Sequence, residues 1–552
     1  MRTRSIRTLT GVLGAVCIAT LVAGCSASPT PPSIPTALRL AQANPVPTLD
    51  PANWYDNVSQ GYMHAIYDTL VQYGPNDATI EPDLATGWKI SNGGKTYVFT
   101  LRKGVKFSNG DAFNAKAVQY NVQRMTSKAA AAPYAFAYSA IQGFSAWNAG
   151  TAQSLSGVTV LGPRTVEFDL TEPDGTFLNA LAMMSAAIGD PKVEAKYGLQ
   201  GFSDNAVGTG PYALSKWVHG HQLVLTRNPR YWGKEPSIKT ISTTIGLSAA
   251  QQLREFQKGQ LDMIGTWGGA LDAASYQRVE KSRKLRGRLR HAPADAVTFL
   301  GFNVATPPFG SLAVRQAVND ILQRDAVNAA LTGGRAPLDN AGLLSPGMPG
   351  YRATDAYPYA VDLTTAAQLL KSAGITPAHP ASFELAFEAG APNVLSAMQV
   401  VQQELAPLGL KATLKPVPWN TFFTSAANAS ETTYGMYLLT WSADYPDPQD
   451  LFDNLFAANG PANFSGFRNA QIDDLVAKAD ALPTATAEES QRIADYRQAN
   501  QILLQQAPAV FLNYGYQDAL VQTWVHYGSL GALGLGPVYT AEFSQLSLGA
   551  HK

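Results

Sequence analysis

Ser382-Phe383-Glu384-Leu385-Ala386-Phe387, then Val394, Met398, Val401 and Leu405, then Leu410-Lys411-Ala412-Thr413-Leu414, form the stretch that decides the fold. Phe383, Leu385 and Phe387 recur at the two-residue period of a strand. Val394, Met398, Val401 and Leu405 fall on one face of a helix that ends near Gly409. Leu410, Ala412 and Leu414 make a second strand, and Tyr434 to Thr440 a third. A strand–helix–strand order of this length predicts a right-handed crossover and a parallel pair. Ligands of open α/β sheets bind beyond the carboxyl ends of such strands. The segment after Thr440, Trp441-Ser442-Ala443-Asp444-Tyr445-Pro446-Asp447-Pro448, is therefore where chemistry is expected.

The same alternation of strand and helix signals runs outward from there. Thr96 to Leu101 reads as a strand with Tyr97, Phe99 and Leu101 on one face. Asn114 is placed to cap a helix carrying Val118, Val122 and Met125, and Ser311 opens another with Val314, Val318, Ile321 and Leu322 in one stripe. No repeat of fixed period appears, which argues against a solenoid or propeller. The chain is an α/β protein.

At the N-terminus Arg2, Arg4 and Arg7 precede an apolar run from Leu9 to Ala23, the pattern of a secretory signal. The run is shorter than the roughly 20 residues that span a bilayer. It leads into Leu21-Val22-Ala23-Gly24-Cys25, which resembles a bacterial lipobox with Cys25 as the acylated first mature residue. The plainer alternative is an uncleaved anchor in which Cys25 is incidental. On the lipobox reading residues 1–24 are a signal peptide. Residues 25–35, rich in Ser, Pro and Thr, are then an extended lipidated tether that holds the protein outside the cytoplasm. Cys17 and Cys25 are the two cysteines, so a mature chain would have no disulfide and no thiol chemistry. With 46% apolar and 15% charged residues among 552, the chain can fill two or three ordinary cores. Its 41 basic and 41 acidic side chains cancel, so no overall field favours nucleic acid. The basic run from Arg278 to Arg290 reads first as a solvated helix face or loop.

Catalytic patterns are absent from the sequence: no G-x-S-x-G elbow, no H-E-x-x-H, no Walker loop. No enzyme activity and no cofactor are expected. His219 and His221 would share a strand face, but a metal needs further ligands that the sequence does not place. Asp444, Asp447 and Asp450 lack the ligand spacing and glycine of a calcium loop, and Pro446 and Pro448 fit a stiff turn better. A carboxylate at Asp444, just past a strand end and flanked by Trp441 and Tyr445, is suited to accept a primary ammonium between aromatic walls. The plainer reading makes Asp444 a helix cap and Trp441 ordinary core.

Several short motifs then fall into one order. Thr48-Leu49-Asp50-Pro51 comes first, then Pro82-Asp83-Leu84-Ala85 with Trp88, Tyr97-Val98-Phe99 and Leu101 to Phe107. Gly208-Thr209-Gly210-Pro211-Tyr212, Arg227-Asn228-Pro229-Arg230-Tyr231-Trp232, Phe302-Asn303, Pro308-Phe309 and Val314 to Ala317 follow. In this order they resemble the family 5 extracellular solute-binding proteins of ABC importers, from about Leu40 to beyond Asn513. The resemblance implies a two-lobed, periplasmic-binding-protein-like α/β fold with an additional subdomain and a hinged ligand cleft. One lobe would be discontinuous, at 36–72, 205–300 and 523–552; the extra subdomain would occupy 73–204 and the other lobe 301–522. It implies capture of di- to oligopeptides for a permease, by a monomer anchored to the membrane at Cys25. A metal chelate, haem, sugar-like solute or antibiotic is the alternative cargo. It implies that Asp444 accepts the peptide ammonium, with Trp441 as the matching tryptophan and Trp419 lining a side-chain pocket. Trp54 and Tyr55 would face the cleft from the opposite lobe. No residue matches a partner for the peptide carboxylate, for which Arg335 and Arg352 are candidates.

Overall fold

The computed structural model describes residues 36–74, 78–265, 271–418, 434–458, 460–533, 535 and 542–550. Cys25 with its tether, and Trp419, lie outside the described residues. The deciding stretch folds as its periodicity dictates: strand Ala381–Glu388, helix Pro392–Leu405, strand Leu410–Val417, then strand Tyr434–Ser442. Ala381–Glu388 pairs in parallel with both neighbours. Gly409, at a φ of 92°, turns the chain from helix to strand in the left-handed region, where a Cβ would be strained.

These strands belong to a six-stranded sheet whose order is Met263–Ile264, Ala509–Val521, Leu289–Phe302, Tyr434–Ser442, Ala381–Glu388, Leu410–Val417. Leu289–Phe302 and Ala509–Val521 are its long members, and they are shared between cores. Ala292, Ala519 and Val521 pack with Leu38, Tyr62 and Ile241, whereas Val297, Phe299 and Phe511 pack with Leu439, Phe452 and Tyr496. Their pairing slips between Ala294 and Val297, so the bulge falls where the strand pair passes from one core to the next.

A second sheet joins Ala37–Gln42, Thr240–Ile245, Gln222–Arg227 and Tyr212–Val218, which brings the first strand of the described residues beside Thr240–Ile245, far along the chain. A third joins Ala85–Ser91, Thr96–Leu101, Thr165–Asp169 and Val158–Gly162. On it Tyr97, Phe99 and Leu101 are all buried, as the alternation requires. Its covering helix Ala115–Met125 begins at Asn114, whose side chain accepts from the amides of Lys116 and Ala117. Helix Leu312–Ile321 follows Ser311, but the Ser311 side chain makes no capping bond there.

The turn at Thr48–Pro51 ties two of these units together. Asp50 is fully buried; its carboxylate caps the short helix after it and takes both guanidinium arms of Arg124 from helix Ala115–Met125. Glu194 closes on the same guanidinium from the other side. The motif is thus an anchor for a buried ion network.

Candidate functional site

Strand Tyr434–Ser442 stops at Ser442, and the next residues leave the sheet at its carboxyl end. The amide of Ala443 donates to the carbonyl of Asp295 at 2.8 Å, which holds the chain down as it exits. Asp447 caps helix Pro448–Leu455 and pairs with the fully buried Arg492, at 2.7 Å on one arm. The helix-capping role read as the plainer alternative for Asp444 therefore belongs to Asp447, and the Asp444 side chain is free to turn elsewhere.

It turns into a cavity of about 260 Å³ built from three parts of the chain. Trp54, Tyr55, Asp56 and His64 come from the segment around helix Asn57–Ile66; Tyr134 and Ala182 come from the region of the third sheet; Asp444, Tyr445 and Pro446 come from the strand end. Tyr134 donates from its hydroxyl to Oδ1 of Asp444 at 3.0 Å, and its ring stacks on Trp54 with centroids 5.0 Å apart. Trp54 is buried and donates its indole N–H to the carbonyl of Asp56 at 2.7 Å. Asp56 spends Oδ1 on the amide of Ser59, starting the helix, while its buried Oδ2 has no hydrogen-bond partner. Tyr55 stands at the rim, 68% exposed. The Tyr445 ring packs against the core around Trp54, and its hydroxyl donates to Gln449.

Burial raises the carboxyl of Asp444 above the ordinary aspartate range, while hydrogen bonds from Tyr134 and Asp450 pull the other way. Asp450 is fully enclosed; burial first, and the charge of Asp444 second, push it well above that range. The two carboxyls act as a pair that is reluctant to hold two negative charges. Burial lowers His64 to about 4, so it stands neutral at the cavity wall.

Trp54, Tyr55, Asp444 and Tyr445 are thus brought together around one hollow. Trp441 is not among its lining residues. It packs against the core around Phe299 and Phe452, and its side chain hydrogen-bonds Asp450, so it acts on Asp444 through a neighbour. Arg335 is held by Asp518 at 3.6 Å and lies over the rings of Tyr276 and Tyr516, and Arg352 borders a surface hollow with Arg497. Neither lines the cavity. Tyr134, Asp56, His64 and Asp450 went unread as ligand-site residues. Asp56 carried a signal, an Asp-x-x-Ser capping pattern, whereas Tyr134 sits among alanines with none.

The arrangement can orient and desolvate a bound group, with carboxylates and aromatic faces as its tools. Among the described residues no group of three His, Cys, Asp or Glu side chains is placed to hold a metal ion. His219 is exposed and meets Asp204 at 2.7 Å. Among the described residues no helix is long and apolar enough to cross a membrane.

Comparison with known proteins now adds to this geometry. Residues 79–463 match the model of the bacterial extracellular solute-binding proteins, family 5 Middle. The chain is 28% identical over 487 residues to the probable deoxycholate-binding periplasmic protein YgiS of Escherichia coli K12, covering 87% of this chain and 88% of that one. It is 28% identical over 470 residues to the dipeptide-binding protein of the same organism, covering 81% and 83%. The fold matches that of the unliganded open form of the periplasmic murein tripeptide binding protein MppA, with a TM-score of 0.79, 21% identity and coverage of 94% and 98%. Family and fold are those of two-lobed substrate-binding proteins. With the matched residues spanning most of its length, the chain belongs to the bacterial extracellular solute-binding proteins of family 5.

Proposed function

We propose that this protein captures short peptides by their amino end outside the cytoplasm and delivers them to the permease of an ABC importer, held to the membrane by lipid at Cys25. In this reading it works as a monomer and needs no cofactor. The observation that carries it is the position of Asp444: half-buried at the wall of a cavity, faced by Tyr134 and Tyr445, and not locked in the core. A buried carboxylate of that kind pairs best with a cation that brings its own hydrogen-bond donors, as a primary ammonium does. Trp54, Tyr55 and Tyr445 supply apolar walls, and Trp419 would extend them. The lobes would be 36–72 with 205–300 and 523–552, and 301–522, with 73–204 as the extra subdomain. The separate cores are consistent with that division, although Met183, Met184, Ala187 and Phe202 pack with the first lobe. Ligand touching both sides would favour a closed state that the permease recognises.

Calorimetry with a free peptide and its N-acetylated form tests the reading. Acetylation, or Asp444→Ala, should weaken binding by about 3–5 kcal/mol, because either change leaves a buried charge unpaired. Equal affinities would remove Asp444 from the role. A non-peptide solute (metal chelate, haem, sugar-like molecule or antibiotic) is the second reading, favoured by the similarity to a probable deoxycholate-binding protein. Native mass spectrometry of the purified protein, with its bound cargo, separates the two.

A further inference from the structure

We propose that the cleft selects against a carboxylate lying close to the bound ammonium, so that free dipeptides are poor ligands and longer or C-terminally blocked peptides are good ones. This rests on the reading of Asp444 as the ammonium acceptor and adds to it a rule about the rest of the ligand.

The inference comes from the charges around the cavity. Two carboxylates, Asp444 and Asp56, line it, and among the described residues no lysine or arginine does. Oδ1 of Asp56 caps the helix at Ser59, while its Oδ2 atom is buried without a hydrogen-bond partner. Pro446 also borders a second hollow of about 290 Å³, where Asn179, Asp447, Thr484 and Glu489 stand and, among the described residues, no lysine, arginine or histidine lines the wall. The internal positions beyond the described residues, 75–77, 266–270, 419–433, 459, 534 and 536–541, contain no lysine, arginine or histidine. However they lie, they bring no cation. The buried arginines are already committed: Arg124 to Asp50 and Glu194, Arg492 to Asp447, Arg315 to the carbonyls of Phe309, Gln506 and Ala507.

Geometry turns that inventory into selectivity. An extended chain advances about 3.3–3.6 Å per residue, so a dipeptide carboxylate stays within about 7 Å of its ammonium. It would remain inside the first hollow, facing Asp56 and Asp444 without a counter-ion. A hexapeptide carries its carboxylate about 20 Å away from its ammonium, and so far from the pair of Asp56 and Asp444. Like charges at the shorter separation in a partly desolvated site cost about tenfold or more in affinity.

The test is calorimetry of the full chain with Ala-Ala and with hexa-alanine, each as free acid, as C-terminal amide and as N-acetyl derivative. The inference expects Ala-Ala amide to bind at least about tenfold more tightly than Ala-Ala, and the two hexapeptide forms to agree within about twofold. If Ala-Ala equals or exceeds its amide while acetylation still abolishes binding, a carboxylate partner exists: the inference falls and the ammonium reading stands. If acetylated and free peptides bind alike, or no peptide binds, the ammonium reading falls and this inference with it.

Discussion

If Asp444 accepts the ligand's ammonium, as proposed, the affinity at that position is tied to pH. Burial holds the free carboxyl above the ordinary aspartate range, and an ammonium beside it stabilises the charged form. Binding therefore expels a proton wherever the free site holds one. Affinity should be flat near neutral pH and fall, approaching tenfold per unit, as pH drops below the raised value; above about 8 it should fall again as the peptide's own α-amino group loses its proton. Calorimetry in two buffers of different ionisation enthalpy reads the released proton directly. The hydroxyl of Tyr134 donates to the charged form of Asp444 and so holds its carboxyl down. Tyr134→Phe should then move the acid limb to higher pH; an unmoved limb would mean that the hydroxyl does not couple to the carboxyl in solution. His64 is already neutral near pH 7 and should not contribute to that limb.

Among the elements, helix Ala115–Met125 depends on a residue that lies 74 positions before it reaches Arg124. Asp50 is wholly buried and Arg124 nearly so. Arg124→Met would strand an uncompensated carboxylate, and denaturant unfolding should show a loss of about 3–5 kcal/mol. Asp50→Asn combined with Arg124→Met should recover only part of it, since the Asp50 charge is then gone while the buried Glu194 still lacks its cation. The same pair shows how far a sequence can be read. Apolar periodicity made the strands at 96–101 and 381–388 and the helix at 392–405 legible, because each one's pattern is fixed by the face it buries. Asp50 was visible as a motif, but its partner was not, since long-range ion pairs leave no local period. Asp444 was legible because the strand before it was, whereas Tyr134, which meets it across 310 residues, lies in a segment of short turns without pattern. Trp441 was read as a wall of the site, yet at the strand end its ring turns to the core around Phe452, and the cavity receives Tyr134 in its place.

Across the whole molecule the carboxyls buried during folding set the pH dependence of stability. Burial raises Asp295 and Asp480 to about 8, Asp339, Glu194 and Glu542 to about 7, and Asp68 to about 6. In the unfolded chain such groups titrate near 4. Between that value and the raised one the native state binds more protons than the unfolded state, so stability falls as pH rises through this window and levels off above it. His64 works in the opposite direction: held neutral down to about 4, it costs stability as pH falls below the ordinary histidine range. Asp111, Asp362 and Glu488 are shifted downward but exposed, where solvent screening leaves little effect. Burial also raises Asp453 to about 6 and Asp83 and Asp450 well above the ordinary range, so carboxyls outnumber His64 and the unfolding temperature should be higher at pH 5.5 than at pH 8. Asp295 offers the cleanest single check, since its one side-chain hydrogen bond comes from Ser345 at 2.7 Å and its Oδ2 is buried without a partner. Asp295→Asn keeps the shape without the charge and should flatten the slope between pH 5.5 and pH 8. Scanning calorimetry at four pH values on both proteins decides it: stability rising from pH 5.5 to pH 8, or an identical slope in the variant, would mean that these carboxyls reach solvent when the protein is folded.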